Sequence, residues 1–103
     1  MGNTPGRLSE SDLRVALESL VEWRVEAGKL HRVWQFADFV EAWGFMSEVA
    51  LIVQQMDHHP EWSNVYHTVV VNLTTHDAGG ITTRDVELAR RMEARAANRA
   101  AKA

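Results

Sequence analysis

Three of the chain's five histidines lie within 19 residues, at His58, His59 and His76, and Asp85 follows nine residues later. Imidazole is the side chain whose unperturbed pKa lies nearest to neutrality. A pocket lined by several such rings can hold a proton donor and a proton acceptor on opposite sides of a small molecule at pH 7. The histidines therefore make proton-transfer chemistry the first hypothesis for this chain.

Each of these residues also has a purely structural interpretation. His59 precedes Pro60 and could hydrogen-bond a carbonyl group in the turn, and His76 could be an exposed loop residue. Asp85 is placed to cap a helix, three residues after Thr82. A zinc site built from His58, His59, His76 and Asp85 is conceivable from ligand type, but the usual i, i+4 pairing on one helix is missing. We expect no metal and no other cofactor.

The helices that must position these residues have clear signals. Residues 9–12 (SESD) and residues 82–85 (TTRD) are capping-box patterns, and each precedes apolar residues at helical spacing. Between them, Asp38 can cap a second helix, and apolar positions from Phe39 to Met56 follow the 3.6-residue period for nearly five turns. Trp43 is one of these positions, and we expect it in the core. Pro60 stops this second helix, so the sequence predicts that His58 and His59 lie at its exit.

The remaining segments are predicted to be strands. Residues 22–27 alternate as a half-buried strand with Trp23 and Val25 inward, and residues 30–36 return from a turn at Gly28. Residues 62–75 are too long for one strand of about 5–6 residues, so we expect a break near His67. The sequence therefore predicts an α+β fold, a four-stranded antiparallel sheet with three helices packed on one face.

Composition limits the other possibilities. The chain has 103 residues and no cysteine, which predicts one domain without disulfides or thiolate chemistry. We expect a cytoplasmic protein with a disordered segment at 1–7, a domain at 8–97 and a frayed tail at 98–103. Residues 84–103 hold six basic and three acidic groups, a mixture typical of a solvated helix. We expect neither nucleic acid nor a membrane as a partner.

The run from Gln54 to Tyr66 (QQMDHHPEWSNVY), together with His76 and Asp85, resembles the signature of the pterin-4a-carbinolamine dehydratases. Residues 36–39 (FADF) and 74–76 (TTH) are similar to that family as well, and the resemblance covers about residues 8–97. One position differs, since the family usually has glutamate where this chain has Gln54. We expect that difference to have a modest effect on activity.

The resemblance implies a dehydratase that removes water from 4a-hydroxytetrahydropterin and gives quinonoid dihydropterin, which recycles the cofactor of aromatic amino-acid hydroxylases. It implies a homodimer or homotetramer that needs no cofactor. The alternative is a binding protein of the same fold, as in relatives that act as a transcription dimerisation cofactor or a Rubisco assembly factor. The resemblance implies an acid–base set formed by His58, His59 and His76, with Asp85 as the orienting carboxylate. It also implies four substrate contacts: Trp23, Glu61, Trp62 and Thr75.

Overall fold

The computed structural model describes residues 5–103, and these form an α+β domain as the sequence predicts. The first four residues of the predicted disordered segment at 1–7 lie outside the described part. None of the helices in residues 5–103 has the length and apolar character needed to cross a membrane. In chain order the elements are α1 (Glu10–Leu17), β1 (Arg24–Glu26), β2 (Lys29–Gln35), α2 (Phe39–Met56), β3 (Glu61–Val65), β4 (Thr68–Leu73), a 3-10 turn (His76–Ala78) and α3 (Thr83–Ala96).

The four strands form one antiparallel sheet in the order β1-β2-β4-β3. The predicted break near His67 is confirmed, because Tyr66 and His67 form the turn between β3 and β4. Side chains alternate between two faces of a strand. One face of the sheet, the inner face, is buried against the helices, and the other is called the open face. The inner face carries the buried side chains Leu30, Trp34, Val69, Val71 and Leu73.

Helix α2 begins at the predicted cap, because the Asp38 carboxylate accepts a hydrogen bond from the Glu41 backbone N–H at 2.9 Å. Its buried side is formed by Ala42, Phe45, Val49 and Val53. Phe45 contacts two aromatic rings of the sheet side, with centroid distances of 4.8 Å to Trp34 and 5.0 Å to Phe36. These contacts fix α2 against the sheet, and they set where its last turn delivers the histidine pair.

The predicted core position of Trp43 is wrong, because its side chain is 55% exposed. Successive residues of a helix point about 100° apart, so Trp43 turns away from the side that Ala42 faces. Trp43 stacks instead on Phe39 with 6.0 Å between the ring centroids. The period was identified correctly, but the width of the buried side was overestimated.

The first predicted strand is shorter than expected and is not half-buried. Only Arg24–Glu26 forms β1, and all three residues are exposed. Val25 is therefore not an inward residue, whereas Trp23, just before the strand, is buried. An edge strand pairs on one side only, and β1 pairs with β2 through a turn at Ala27 and Gly28, which have φ values of 52° and 76°.

The C-terminal tail is tied to the domain, in contrast to the frayed end expected at 98–103. The Ala37 N–H donates to the Ala100 carbonyl at 2.9 Å, and the Lys102 N–H donates to the Gln35 carbonyl at 3.0 Å. The Arg99 guanidinium donates to Glu48 at 2.8 and 3.0 Å. An alanine-rich tail offers few apolar contacts, but its backbone and one cation find partners beyond the end of β2.

Gly44 provides a test of this tail contact. Alanine normally stabilises a helix interior by about 1 kcal/mol relative to glycine. A Cβ at Gly44 would overlap the Arg99 guanidinium, so Gly44→Ala must displace it from Glu48. We expect Gly44→Ala to give no stabilisation in the native chain and about 1 kcal/mol in an Arg99→Ala background. Urea unfolding of the four proteins measures this, and equal gains in both backgrounds would contradict the contact.

Candidate functional site

The site is organised around the carboxylate of Asp85, which is fully buried at the third position of α3. Its Oδ2 accepts hydrogen bonds from the Thr82 backbone N–H at 2.9 Å and from the Thr75 hydroxyl at 2.8 Å. Its Oδ1 lies 2.6 Å from the His58 Nε2. Because a carboxylate only accepts, the His58 Nε2 carries the proton that it donates. Asp85 thus caps α3 and binds a histidine at the same time.

The exit of α2 places His58 in this contact. The backbone N–H of His58 donates to the Val53 carbonyl at 3.2 Å, and Asp57 adopts the left-handed conformation with φ of 49°. This is the geometry of a Schellman-type helix end, usually built on glycine but also accessible to a short polar residue. The Arg84 guanidinium donates to the carbonyls of Met56 and Asp57, both at 2.8 Å. Two consecutive residues of α3, Arg84 and Asp85, therefore hold the end of α2.

The three predicted histidines do not have equivalent environments. The side chain of His58 is 7% exposed, whereas those of His59 and His76 are 66% and 78% exposed. The His59 Nε2 lies 4.0 Å from Asp57 Oδ1, which is beyond hydrogen-bond distance. Only His59 and His76 present most of their ring to a small molecule.

The segments that carry the two exposed rings lie side by side. Asp85 binds both His58 and Thr75, the residues just before His59 and His76. The segments also meet at Glu61, whose Oε2 lies 3.3 Å from the His76 Nε2. The arrangement brings two exposed imidazoles to adjoining segments beside a carboxylate, which suits proton exchange with a bound molecule. A cavity of about 300 Å³ adjoins His76 and is lined further by Ala27, Gly28, Lys29, Thr74, Gly79 and Gly80.

Two of the predicted substrate contacts have core positions. Trp23 is 4% exposed, and its indole N–H donates to Glu93 Oε2 at 2.8 Å. Its ring meets Trp34 edge to face, with 5.6 Å between centroids. Trp62 is half-buried on the inner face of β3, opposite Val71. Both tryptophans therefore support the frame, and direct contact with a substrate stays a prediction for them.

The other two predicted contacts bind site residues directly. The Thr75 side chain is buried and its hydroxyl donates to Asp85. Glu61 contacts His76 through one oxygen, and its Oε1 accepts a hydrogen bond from the Lys29 ammonium at 2.6 Å. Lys29 was not singled out from the sequence, where it appears only as a turn residue. Its link to Glu61 depends on strand register that no local pattern reveals.

In the sequence, Arg84 and Thr82 were recognised only as parts of the capping-box pattern at residues 82–85. An arginine one residue before a capping carboxylate is too common a pattern to predict the bond to the end of α2. Within residues 5–103, no group of three or more histidine, aspartate or glutamate side chains is arranged to hold a metal ion.

Comparison with known proteins gives a consistent family. The family model described as "Pterin 4 alpha carbinolamine dehydratase" matches residues 6–95. A protein of Solibacter usitatus is 53% identical over 91 residues, covering 88% of this chain and 96% of its own length. One of Rhodopseudomonas palustris is 55% identical over 93 residues, covering 88% and 92%. Both carry the name "Putative pterin-4-alpha-carbinolamine dehydratase".

Solved structures share the fold. One from Brucella melitensis, described as a transcriptional coactivator/pterin dehydratase, is 43% identical with a TM-score of 0.85, covering 88% of this chain and 99% of its own. A pterin dehydratase-like RuBisCO assembly factor of the α-carboxysome is 19% identical with a TM-score of 0.64, covering 73% and 89%. At that identity the second structure shows likeness of fold alone.

The Asp85 network leads to a stability prediction. We expect Asp85→Ala to lower the free energy of unfolding by about 3–5 kcal/mol, because it leaves His58, Thr75 and the Thr82 N–H without their buried acceptor. Asp85→Asn should lose less, since its amide oxygen still accepts from the threonine groups. Urea unfolding followed by circular dichroism measures both, with the exposed Glu22→Ala as control. An Asp85→Ala protein as stable as that control would contradict the network.

Proposed function

The chain belongs to the pterin-4a-carbinolamine dehydratase family, and on that premise we propose that it removes water from a 4a-hydroxytetrahydropterin. The observation that carries the proposal is the separation of roles among the histidines. His58 is fixed on buried Asp85, while His59 and His76 are exposed on adjoining segments. A ligand that enters between these segments meets two imidazoles whose backbones are held in place.

The reaction needs one proton delivered and one removed. The bond between carbon 4a and its hydroxyl oxygen breaks, and a proton joins the hydroxyl so that it leaves as water. The neighbouring ring nitrogen loses its proton, and that electron pair forms the carbon–nitrogen double bond of the quinonoid dihydropterin. Protons balance and no oxidant is required. His59 and His76 supply the direct contacts because their rings are exposed, and an imidazole ring can act as a general acid or a general base.

His58 acts differently from its neighbours in this proposal. Its Nε2 is hydrogen-bonded to Asp85, so His58 holds the backbone that positions His59. Its Nδ1 is the ring nitrogen that Asp85 leaves available for a hydrogen bond. Gln54, where the family usually has glutamate, is exposed on the last turn of α2, one turn before His58. An uncharged side chain at that exposed position leaves the His58–Asp85 pair intact, in keeping with a modest effect.

Turnover tests the proposal. We expect the native chain to accelerate water loss from a synthetic 4a-hydroxytetrahydropterin above the spontaneous rate. His59→Ala and His76→Ala should each lower the rate constant at least about 100-fold, the usual contribution of a general acid or base. His67→Ala, a histidine in the β3–β4 turn, is the matched control and should retain activity. A native chain that leaves the spontaneous rate unchanged would refute the proposal.

The outer side of α2 supports a proposed homo-oligomer. Four of its apolar side chains are largely exposed, and we call this set the α2 outer face: Phe39 at 46%, Val40 at 69%, Trp43 at 55% and Leu51 at 70%. Several large exposed apolar side chains on one helix are typical of an interaction site. A second copy of the same helix would cover it around a two-fold axis, the commonest symmetry among soluble oligomers. The expected assembly is a homodimer or a homotetramer.

Charge placed on this face should disrupt the assembly. We expect Trp43→Glu combined with Leu51→Glu to reduce the molar mass measured by light scattering to a smaller assembly or a monomer, because two buried carboxylates would lose their hydration. Val15→Glu on α1, where Val15 is 63% exposed, adds charge to apolar surface elsewhere and should keep the native mass. A monomeric native chain, or a double variant of native mass, would contradict the proposal.

The second candidate function is a binding role without catalysis. It is favoured by the Brucella melitensis structure, whose description includes a transcriptional coactivator, and by the exposed apolar α2 outer face. A binding protein should capture a specific partner equally well with His59→Ala and His76→Ala in place. If those variants lose turnover but keep the partner, both roles exist in one chain.

A further inference from the structure

Three charged or titratable side chains are linked by two contacts near the end of β4, where the chain enters the 3-10 turn. The Lys29 ammonium donates to Glu61 Oε1 at 2.6 Å, and Glu61 Oε2 lies 3.3 Å from the His76 Nε2. We propose that Lys29 and Glu61 are positioning residues that hold the His76 ring so that it meets the substrate through Nδ1. This inference rests on the proposed dehydratase function and adds two residues and an orientation to it.

The sheet register explains why these side chains meet. Lys29 begins β2 and Glu61 begins β3, and β4 lies between those strands. Glu61 pairs with Asn72 on β4, and Leu30, the neighbour of Lys29, pairs with Leu73. Because Leu30 faces inward, Lys29 points to the open face, where it can reach over the end of β4. The ion pair therefore spans the point where the chain leaves β4 toward His76.

Both oxygens of the Glu61 carboxylate are engaged. The hydrogen bond from Lys29, with smaller contributions from its charge and from His76, lowers the pKa of Glu61 below its ordinary value of 4.5. The group is therefore an anion at neutral pH. The anionic Oε2 lies 3.3 Å from the His76 Nε2 and favours the tautomer with the proton on that nitrogen, so Nδ1 is the nitrogen directed away from Glu61. Glu61 thus acts through His76 rather than through the direct substrate contact that the resemblance implies.

The exposure of His76 explains why its ring needs the positioning contacts of Lys29 and Glu61. His76 is 78% exposed at the start of a 3-10 turn, so an untethered ring would sample several side-chain rotamers. Proton transfer requires a ring nitrogen within hydrogen-bond reach of the reacting atom. Lys29 and Glu61 are only 34% and 42% exposed and come from regular strands. Residues in a hydrogen-bonded sheet are held more rigidly than residues in a turn. Contacts from Lys29 and Glu61 therefore restrict the position of the His76 ring.

The first experiment measures ring orientation without any substrate. In the full-length chain with labelled histidine, three-bond NMR couplings report the His76 χ1 rotamer. We expect one dominant rotamer in the native chain and averaged couplings in Glu61→Ala and in Lys29→Met. Lys29→Arg should restore the native value, and Lys102→Met, at the chain's other lysine, should leave it unchanged. Averaged couplings in the native chain, or native couplings in Glu61→Ala, would overturn the inference.

The second experiment measures turnover. We expect Lys29→Met to lower kcat about 2–5-fold, the range of a partly exposed ion pair, and Lys29→Arg to recover it. Glu61→Ala should lower kcat about 10-fold with KM nearly unchanged, because the inference assigns Glu61 an effect on the His76 ring and not on substrate binding. Lys29→Met should add nothing in the Glu61→Ala background, since both act through one ring. Additive losses, or a Lys29→Met effect no larger than that of Lys102→Met, would contradict the inference.

The two experiments separate this inference from the proposed function. A native chain with a fixed His76 rotamer but no turnover would refute the dehydratase proposal and support the positioning role of Lys29 and Glu61. An active chain in which Lys29 and Glu61 variants keep both kcat and the His76 rotamer would refute the positioning role and support the dehydratase proposal.

Discussion

A carboxylate with no exposed surface needs hydrogen-bond donors at both of its oxygens, and Asp85 is such a group. Its donors come from three separate segments: His58 after α2, Thr75 after β4, and the Thr82 backbone before α3. Satisfying one side chain therefore requires that these three segments converge. The rest of the site depends on that convergence, because it sets the backbone from which His59 and His76 project.

The same constraint divides the site into a fixed part and an accessible part. His58, Thr75 and Asp85 are buried, and the first two are hydrogen-bonded to Asp85. The residues that follow His58 and Thr75, which are His59 and His76, are exposed. In each pair of consecutive residues, His58–His59 and Thr75–His76, the first side chain is buried and the second is exposed. Catalysis by proton transfer needs both, a frame that does not move and rings that a ligand can reach. Pro60 and Glu61 extend the frame toward the exposed side, the first through its restricted backbone and the second through its contact with His76.

Local signals predicted most of the fold correctly. The caps at Ser9, Asp38 and Thr82, the period of α2 and the break at His67 all depend on a few neighbouring residues, and all are present. Errors occurred where the outcome depends on distant partners. The exposure of Trp43 follows from which side of α2 meets the sheet, and the order of the tail follows from pairing with residues 35–37.

The candidate site shows the same limit. The sequence identified His58, His59, His76 and Asp85 as a group, but two adjacent identical residues gave no sign of which would be buried. The Lys29–Glu61 contact joins residues 32 positions apart across an intervening strand, so it appears only when register is known. Arg84 is similar, because its partners are carbonyl groups that carry no side-chain signature.

In the proposed reaction a pterin ring binds between the exposed histidines while His58 stays on Asp85. A crystal structure of the chain with an unreactive dihydropterin is the decisive test. We expect the bicyclic ring within hydrogen-bond distance of His59 and His76, with the His58–Asp85 bond intact. A pterin bound instead in the apolar groove between α1 and α3, near Val15 and Arg90, would contradict it.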